Sequence, residues 1–557
     1  MADGGFLRYL RTGVHLRPRQ IAHYLWQRSI PSGGTTPCVG EYLLRENVRL
    51  IPALSSRPGL RNPGEFTFLN TTKRYGPENV DWTSRGMAKL WRYNLHYFDY
   101  ARNTGYPREA LASLLDSWIR RNPPGTEDAW EPFPLSLRIV NWVKCFLRPE
   151  YRGNIPPPWL ESLYQQASWL GKNLEAHLLA NHYFKNGKAL VFAGMFFGGR
   201  EADRWLRKGC HILDEEVPEQ ILPDGGHFER SPMYHTMILE DCLDLLNLLH
   251  GEVCDEYRSL ADRLRDAVRR MVAFLEGIVH PDGRIPLFND AAFEIEAEPA
   301  DIRAYYARIM GENATGPTGR CWSYPDTGYF VMAPQEGSRM VIDCGPVGPD
   351  YQPGHAHCDT LSFELSMNDR RVVVDSGCCQ YEEADIRRYN RGNAGHNTVT
   401  VDGEDQSEVW GAHRCARRAY PIYARLEEDA DGSLTFAGAH DGYRRLAGSP
   451  VHHRAITWKG NACRVEDRIQ GKGRHDIESR LHIHPDLSVG FDGQRVMIHD
   501  GGNPLLEISC LPGQRIDMKN GWYCPEFGLK RECPVVTTFS VKAPLPFQCG
   551  WLLKSMV

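Results

Sequence analysis

A chain of 557 residues, 42% apolar and 24% charged, has the composition of a folded soluble protein and is too long for one ordinary core, so two large domains or more are expected. Its formal charge of -5 carries no basic excess suited to nucleic acid, and a polyanionic ligand would have to meet a local basic cleft. No run of about 18 apolar residues suggests a membrane span, and 16 scattered cysteines without a CxxC pair read as reduced, buried thiols.

In chain order, residues 1–28 are basic and amphipathic without the continuous apolar centre of a signal peptide. They are expected to form a docking helix within an N-terminal helical or extended segment, residues 1–50. By default this places the protein in the cytoplasm or on the inner membrane's periphery, with a periplasmic location left open.

Apolar residues then recur at three- and four-residue spacing in "EALASLLDSWIRR" (109–121), "LSLRIVNWVKCFL" (135–147), 159–197, "TMILEDCLDLLNLLH" (236–250) and 257–279. Short Gly/Pro/Asp loops between them predict stacked helical hairpins over 51–320. Beyond "ATGPTGRCWSYPDTG" (314–328) the pattern changes. Runs such as "RMVIDCG", "LSFELSMNDRRVVVDSG" and "NTVTVDG" alternate and turn tightly, at Asn368-Asp369 for instance, which predicts antiparallel strands over 321–557.

Three stretches carry candidate chemistry. In "LEAHLLANHYFKNGKAL" (174–190), His177, Asn181, Lys185 and Lys188 share one side of a predicted helix. A solvent-facing stripe accounts for the lysines, but less well for Asn181-His182, which are weak helix formers in an apolar run. In "PDGGHFERSPMYHTM" (223–237), Gly225-Gly226 predicts a flexible turn, Ser231 an N-cap and Pro232 the first helical position. Tyr234 then lies in the first turn, where the helix dipole eases ionisation. In "GHAHCD" (354–359), His355 and His357 precede Asp375 and His396. Two histidines and a carboxylate suit Zn²⁺, yet by spacing alone unrelated surface histidines explain the cluster better. A two-residue turn at 368–369 sets Asp375 opposite Ser362, so the histidine segment must fold back as a loop.

Taken together with "LWRYNLHYFDY" (90–100), "WEPFPLSLRIVNW" (130–142) and "AGHNTVTVDG" (394–403), these stretches resemble the heparinase II/III-like polysaccharide lyases, whose relatives include heparan sulfate and alginate lyases. The resemblance implies an α+β multidomain fold, an incomplete (α/α) toroid followed by an antiparallel β-sandwich. It also implies β-elimination on a uronate-containing glycan, an acidic polysaccharide or oligosaccharide. By matched position, Asn181 and His182 would neutralise the uronate carboxylate, with Tyr234 and His355 moving protons. His357, Asp375 and His396 would hold one structural zinc ion per chain, leaving Asp359 without a role. Trp130, Arg138, Glu229 and Tyr381 would line the cleft. Members lacking signal sequences resemble those linked to bacterial surface-polysaccharide (exopolysaccharide) processing. Two other readings stay open: an α/α-toroid glycoside hydrolase using carboxylates among Asp224, Glu229, Glu240 and Asp241, and a non-catalytic glycan-binding or assembly protein.

Overall fold

The computed structural model describes residues 2–29, 42–54, 60–76, 79–250 and 255–556; Cys38 and Cys254 lie outside them. Two short helices, Ala2–Gly13 and Pro18–Ser29, come first. They are pinned to the body by Arg8 and Arg11 on Glu408, Arg17 on Glu219 and Arg19 on Glu215. None of the helices among the described residues is long and apolar enough to cross a membrane.

From Lys89–Tyr97 to Pro299–Met310 the chain runs helix after helix, in an incomplete (α/α) toroid. The helix Ala180–Phe196 lies against Arg200–Gln220, and the two approach closely at Gly187 and Gly209. A Cβ on Gly209 would stand 2.7 Å from the Gly187 carbonyl oxygen, so only glycine fits there. Leu190, Val191 and Phe192 on the inner helix are fully buried, each worth about 1.5–3 kcal/mol.

The predicted helix over 159–197 is in fact two, Pro157–Lys172 and Ala180–Phe196. Between them Leu179 and Ala180 both take positive φ, of 60° and 50°. That break takes His177 off the helix and places Asn181 in the first turn of the second one.

After Met310 the chain forms antiparallel sheets that face one another across a second core, a β-sandwich. A five-stranded meander runs from Cys321–Tyr324 to Arg370–Val373, an eight-stranded sheet spans Pro421–Glu428 to Phe547–Ser555, and a four-stranded sheet is built on Arg474–His482 and Arg531–Pro544. Asn368 and Asp369 both have φ above 50°, as a tight two-residue hairpin requires. A bulge at Leu365/Ser366 then shifts the register, setting Val373 opposite Leu365, and Asp375 leaves the sheet instead of facing Ser362. The described cysteines are buried apart from Cys321 and Cys510, which are partly exposed.

Candidate active site

The helix Pro232–Leu248 starts where its sequence predicts. Ser231 Oγ accepts from the Tyr234 backbone N–H at 3.4 Å and donates to the Asp290 carbonyl at 2.8 Å. The preceding turn is tight rather than flexible: Gly225 has φ +91°, and a Cβ on Gly226 would collide with Thr327 Oγ1 at 1.8 Å. The Tyr234 hydroxyl lies 2.9 Å from that of Tyr381, and its ring stacks on His355 with centroids 3.9 Å apart. Burial pushes the Tyr234 phenol well above its ordinary pKa, although the Tyr381 hydrogen bond works the other way. The expected ease of ionisation is therefore reversed, because desolvation outweighs the partial charge of a helix end.

GHAHCD is a loop, as the turn argument requires, and it is fastened by two residues that the sequence did not single out. Asn289, with φ 56°, accepts from the His357 N–H at 3.0 Å and gives its own N–H to Asp359 at 2.8 Å. The Asp290 N–H donates to the His355 carbonyl at 3.1 Å. The Asp290 carboxylate is fully buried and collects His355 Nδ1 at 2.9 Å, His357 Nε2 at 2.8 Å and the guanidinium of Arg387. Burial opposes its charge, yet Arg387 and these donors hold its pKa well below the usual carboxylate range. With Nδ1 turned to Asp290, His355 directs Nε2 towards the buried Glu229 carboxylate, 3.5 Å away. A polar Asn-Asp pair inside the apolar run "RIPLFNDAAF" was the available signal for this element.

Asn181 is buried, and its Nδ2 donates to Glu229 Oε1 at 2.9 Å, leaving a second N–H. Glu229 Oε2 is buried without a hydrogen bond, so this carboxylate bridges the space between Asn181 and His355. His182 is held through Nδ1 by Glu175 Oε1 at 3.0 Å and packs on Phe133. Burial works against its protonated form, but Glu175, with Glu229 and Glu131 adding to it, more than offsets this and its pKa is raised.

Behind His355, His357 Nδ1 and His396 Nε2 are buried polar atoms with no hydrogen-bond partner. Together with Asp359 they place three donor atoms within 4.8 Å of one another. Each imidazole is backed by a carboxylate on its other nitrogen: Asp290 on His357, and Asp375 Oδ2 on His396 Nδ1 at 2.8 Å. Two orphaned ring nitrogens facing a carboxylate fit a tetrahedral cation with one position to spare. Asp375, expected among the donors, instead stands behind His396, while Asp359, expected to have no role, faces the gap.

Other expected site residues lie elsewhere. Trp130 is buried against Trp118 and Trp169, with its indole N–H on the Asn122 carbonyl. Arg138 has no exposed surface. Its guanidinium serves Gln166, His96 and Ala129 and sits over Trp118. Neither reaches a cleft: sealing helix ends and loop carbonyls inside the toroid consumes both. Lys185 and Lys188 are not solvent-facing but buried, paired with Asp241 and, for Lys188, also with Asp244. Tyr381 lies beside Tyr234 on the wall of a cavity of about 480 Å³. That cavity runs from the two tyrosines past Phe133 and Tyr97 to the lysine–aspartate cluster.

The heparinase II/III N-terminal family model matches residues 68–311, and the heparinase II/III-like C-terminal model matches residues 316–552. The chain is 26% identical over 466 residues to a heparin-sulfate lyase of Bacteroides stercoris, covering 77% of this chain and 65% of that one. It spans 51% of a second heparin-sulfate lyase, from Pedobacter heparinus, at 24% identity. FtsZ-localized protein C of Caulobacter vibrioides is 25% identical, with 79% of this chain and 78% of that protein covered. Among solved structures, heparinase III superposes with a TM-score of 0.69 at 18% identity over 86% of this chain and 79% of that one. A heparan sulfate lyase HepC mutant from Pedobacter heparinus gives 0.61 at 18% identity over 88% and 81%. With both family models matched in tandem across the toroid and the sandwich, this chain belongs to the heparinase II/III-like family.

Proposed function

We propose that this chain is a polysaccharide lyase that cleaves a uronate-containing glycan by β-elimination, with residues 51–320 and 321–557 as two domains supplying opposite walls of one site. The observation that carries the reading is the Tyr234–His355 pair, a phenol kept protonated by burial and stacked on an imidazole whose Nδ1 is held by Asp290. Removing the C5 proton of a uronate adds negative charge beside a carboxylate, so donors must first neutralise that group. The second N–H of Asn181 and the ring of His182 supply them. His355 Nε2 takes the C5 proton, and the Tyr234 hydroxyl protonates O4 as the C4–O4 bond breaks. Tyr381 steadies the phenol through its 2.9 Å hydrogen bond.

A zinc ion would be held by His357, Asp359 and His396, with Asp290 and Asp375 fixing the two imidazoles. Bound there, it would supply rigidity to the loop that carries His355.

Three of the four carboxylates of the hydrolase reading are engaged, and Glu229 is tied through Oε1 to Asn181. Asp224 is tied to Thr327, Glu240 to Arg102 and Asp241 to two lysines. The assembly-protein reading draws on the Caulobacter relative, which the chain covers more fully than it does the lyases. A place in bacterial surface-polysaccharide processing agrees with either. Incubation with a panel of uronate polysaccharides, followed by ultraviolet absorbance of the unsaturated product, tests the lyase reading. No absorbance from any acidic glycan overturns it.

A further inference from the structure

Where Leu179 and Ala180 break the helix, both adopt positive φ, which residues other than glycine keep only when their surroundings enforce it. One buried residue, Glu175, supplies much of that enforcement. Its N–H donates to Asn186 Oδ1 at 2.8 Å, and its carbonyl accepts from the N–H groups of Leu178 and Leu179 at 2.9 and 3.0 Å. Carboxylate Oε2 accepts from Asn186 Nδ2 at 3.0 Å, which leaves Oε1 for His182 Nδ1 at 3.0 Å. Asn186 is itself fixed, because the same Nδ2 donates to Ser136 Oγ at 3.0 Å. This latch sets both the break that precedes Asn181 and the orientation of the next side chain, His182.

An ionised carboxylate can only accept, so Nδ1 carries a proton whenever the Glu175 bond is made. The other ring nitrogen, Nε2, has no hydrogen-bond partner among the described residues, and the side chain keeps 29% exposure. Neutral His182 held in this way would present a lone pair at Nε2, which repels a carboxylate. Protonated His182 presents an N–H at the same place. The ionisable groups around it are Glu175 and His177 on its own segment, Glu229 before the helix Pro232–Leu248 and Glu131 before Pro132–Phe146. The three carboxylates favour the protonated ring.

We propose that Glu175 is a positioning residue that makes His182 a donor to the uronate carboxylate only while that imidazole is a cation. This role rests on the lyase reading, in which Asn181 and His182 receive that carboxylate. Uronate binding is then strongest at low pH and is lost as His182 gives up its proton.

The full chain with isotopically labelled histidines is titrated by NMR, the His182 signal being identified by its loss in His182→Gln. Neutral His182 is expected as the Nδ1–H tautomer. Glu175→Gln keeps the size of the side chain. Its carbonyl oxygen can accept from Asn186 and its amide then turns to His182, so the neutral ring should carry its proton on Nε2 instead. An Nε2–H tautomer in the wild type, or one tautomer shared by both proteins, overturns the proposal without any ligand. Binding of glucuronate and galacturonate oligosaccharides is followed by calorimetry in Tyr234→Phe, so that none is cut. With Glu175 in place, affinity should fall about tenfold per pH unit once His182 is deprotonated. With Glu175→Gln added, binding should be about tenfold weaker near pH 6, nearly independent of pH, and the tighter of the two at high pH. A merely structural role gives parallel curves. Parallel curves, a flat curve with Glu175 in place, or no binding of any oligosaccharide overturns the proposal. If Glu175→Gln does not fold, the wild-type tautomer and the pH profile with Glu175 in place still decide. Product absorbance is read separately on the wild type. Unsaturated product with pH-independent affinity sinks this inference and keeps the lyase, whereas pH-dependent affinity without product from any glycan sinks the lyase and keeps the positioning role.

Discussion

The ring of His355 lies on that of Tyr234, centroids 3.9 Å apart and planes inclined by 30°. The proposed proton donor and proton acceptor are thus side chains from the two halves of the chain, held face to face. If Tyr234 is the acid at O4, Tyr234→Phe should lower kcat by about 10²–10⁴-fold. The fold should survive, because the ring contact is retained and only the hydroxyl is lost. Tyr381→Phe removes the partner but not the proton, so its effect on kcat should be several-fold smaller. Product absorbance alongside thermal melting checks both.

Asp290 joins the proposed catalytic histidine to the metal-donor loop and is the sole carboxylate partner of Arg387 among the described ion pairs. Asp290→Asn would leave Arg387 buried without its counter-charge, a loss of ~3–5 kcal/mol. It would also free His355 Nδ1, so kcat should fall at temperatures where the variant is still folded. Urea denaturation and kinetics, measured on the same preparation, separate the two effects. Unchanged kcat in folded Asp290→Asn would remove its positioning role.

For the metal, His357→Ala and His396→Ala should abolish binding, and Asp359→Asn should weaken it severely. Asp375→Asn, acting only through His396, should cost about 10–100-fold in affinity. His355→Ala should keep the metal while losing turnover. Elemental analysis of protein prepared without chelator reads all five. Metal retained in Asp359→Asn but lost in Asp375→Asn would restore the ligand set expected from the resemblance.

Glu216 offers a pH test away from the site. It is buried, its Oε2 accepts from Gln220 at 2.8 Å, and burial raises its carboxyl from 4.5 to about 7. Between those values the folded chain keeps a proton that the unfolded chain has released. The stability from this group is therefore complete at low pH and is lost as pH rises through 7. Glu216→Gln should stabilise the protein by ~1–2 kcal/mol near pH 8 and be close to neutral near pH 4. Melting curves at the two pH values check the difference.

Much of the local structure was legible in the sequence because it depends on neighbours a few residues apart. Ser231-Pro232 announced a helix start, Asn368-Asp369 a tight hairpin, and the change from three-and-four spacing to alternation announced the passage from toroid to sandwich. The helix Arg200–Gln220 was missed although Ala202, Trp205, Leu206, Gly209 and Leu213 mark a narrow buried stripe. Its many charged residues mask that stripe.

What each polar side chain does was decided by the tertiary structure. Asp290 and His355 are 65 positions apart, and Lys188 and Asp241 are 53 apart, so no local pattern connects them. Lys185 and Lys188 look like a solvated stripe until a second helix brings Asp241 and Asp244 against them. Arg138 looks like a cleft residue until three partners enclose it. Hydrophobic spacing is written into a segment, whereas desolvation and charge pairing depend on which distant atoms the fold brings within a few ångströms. The same reason moved Asp359 into the donor set and Asp375 behind it.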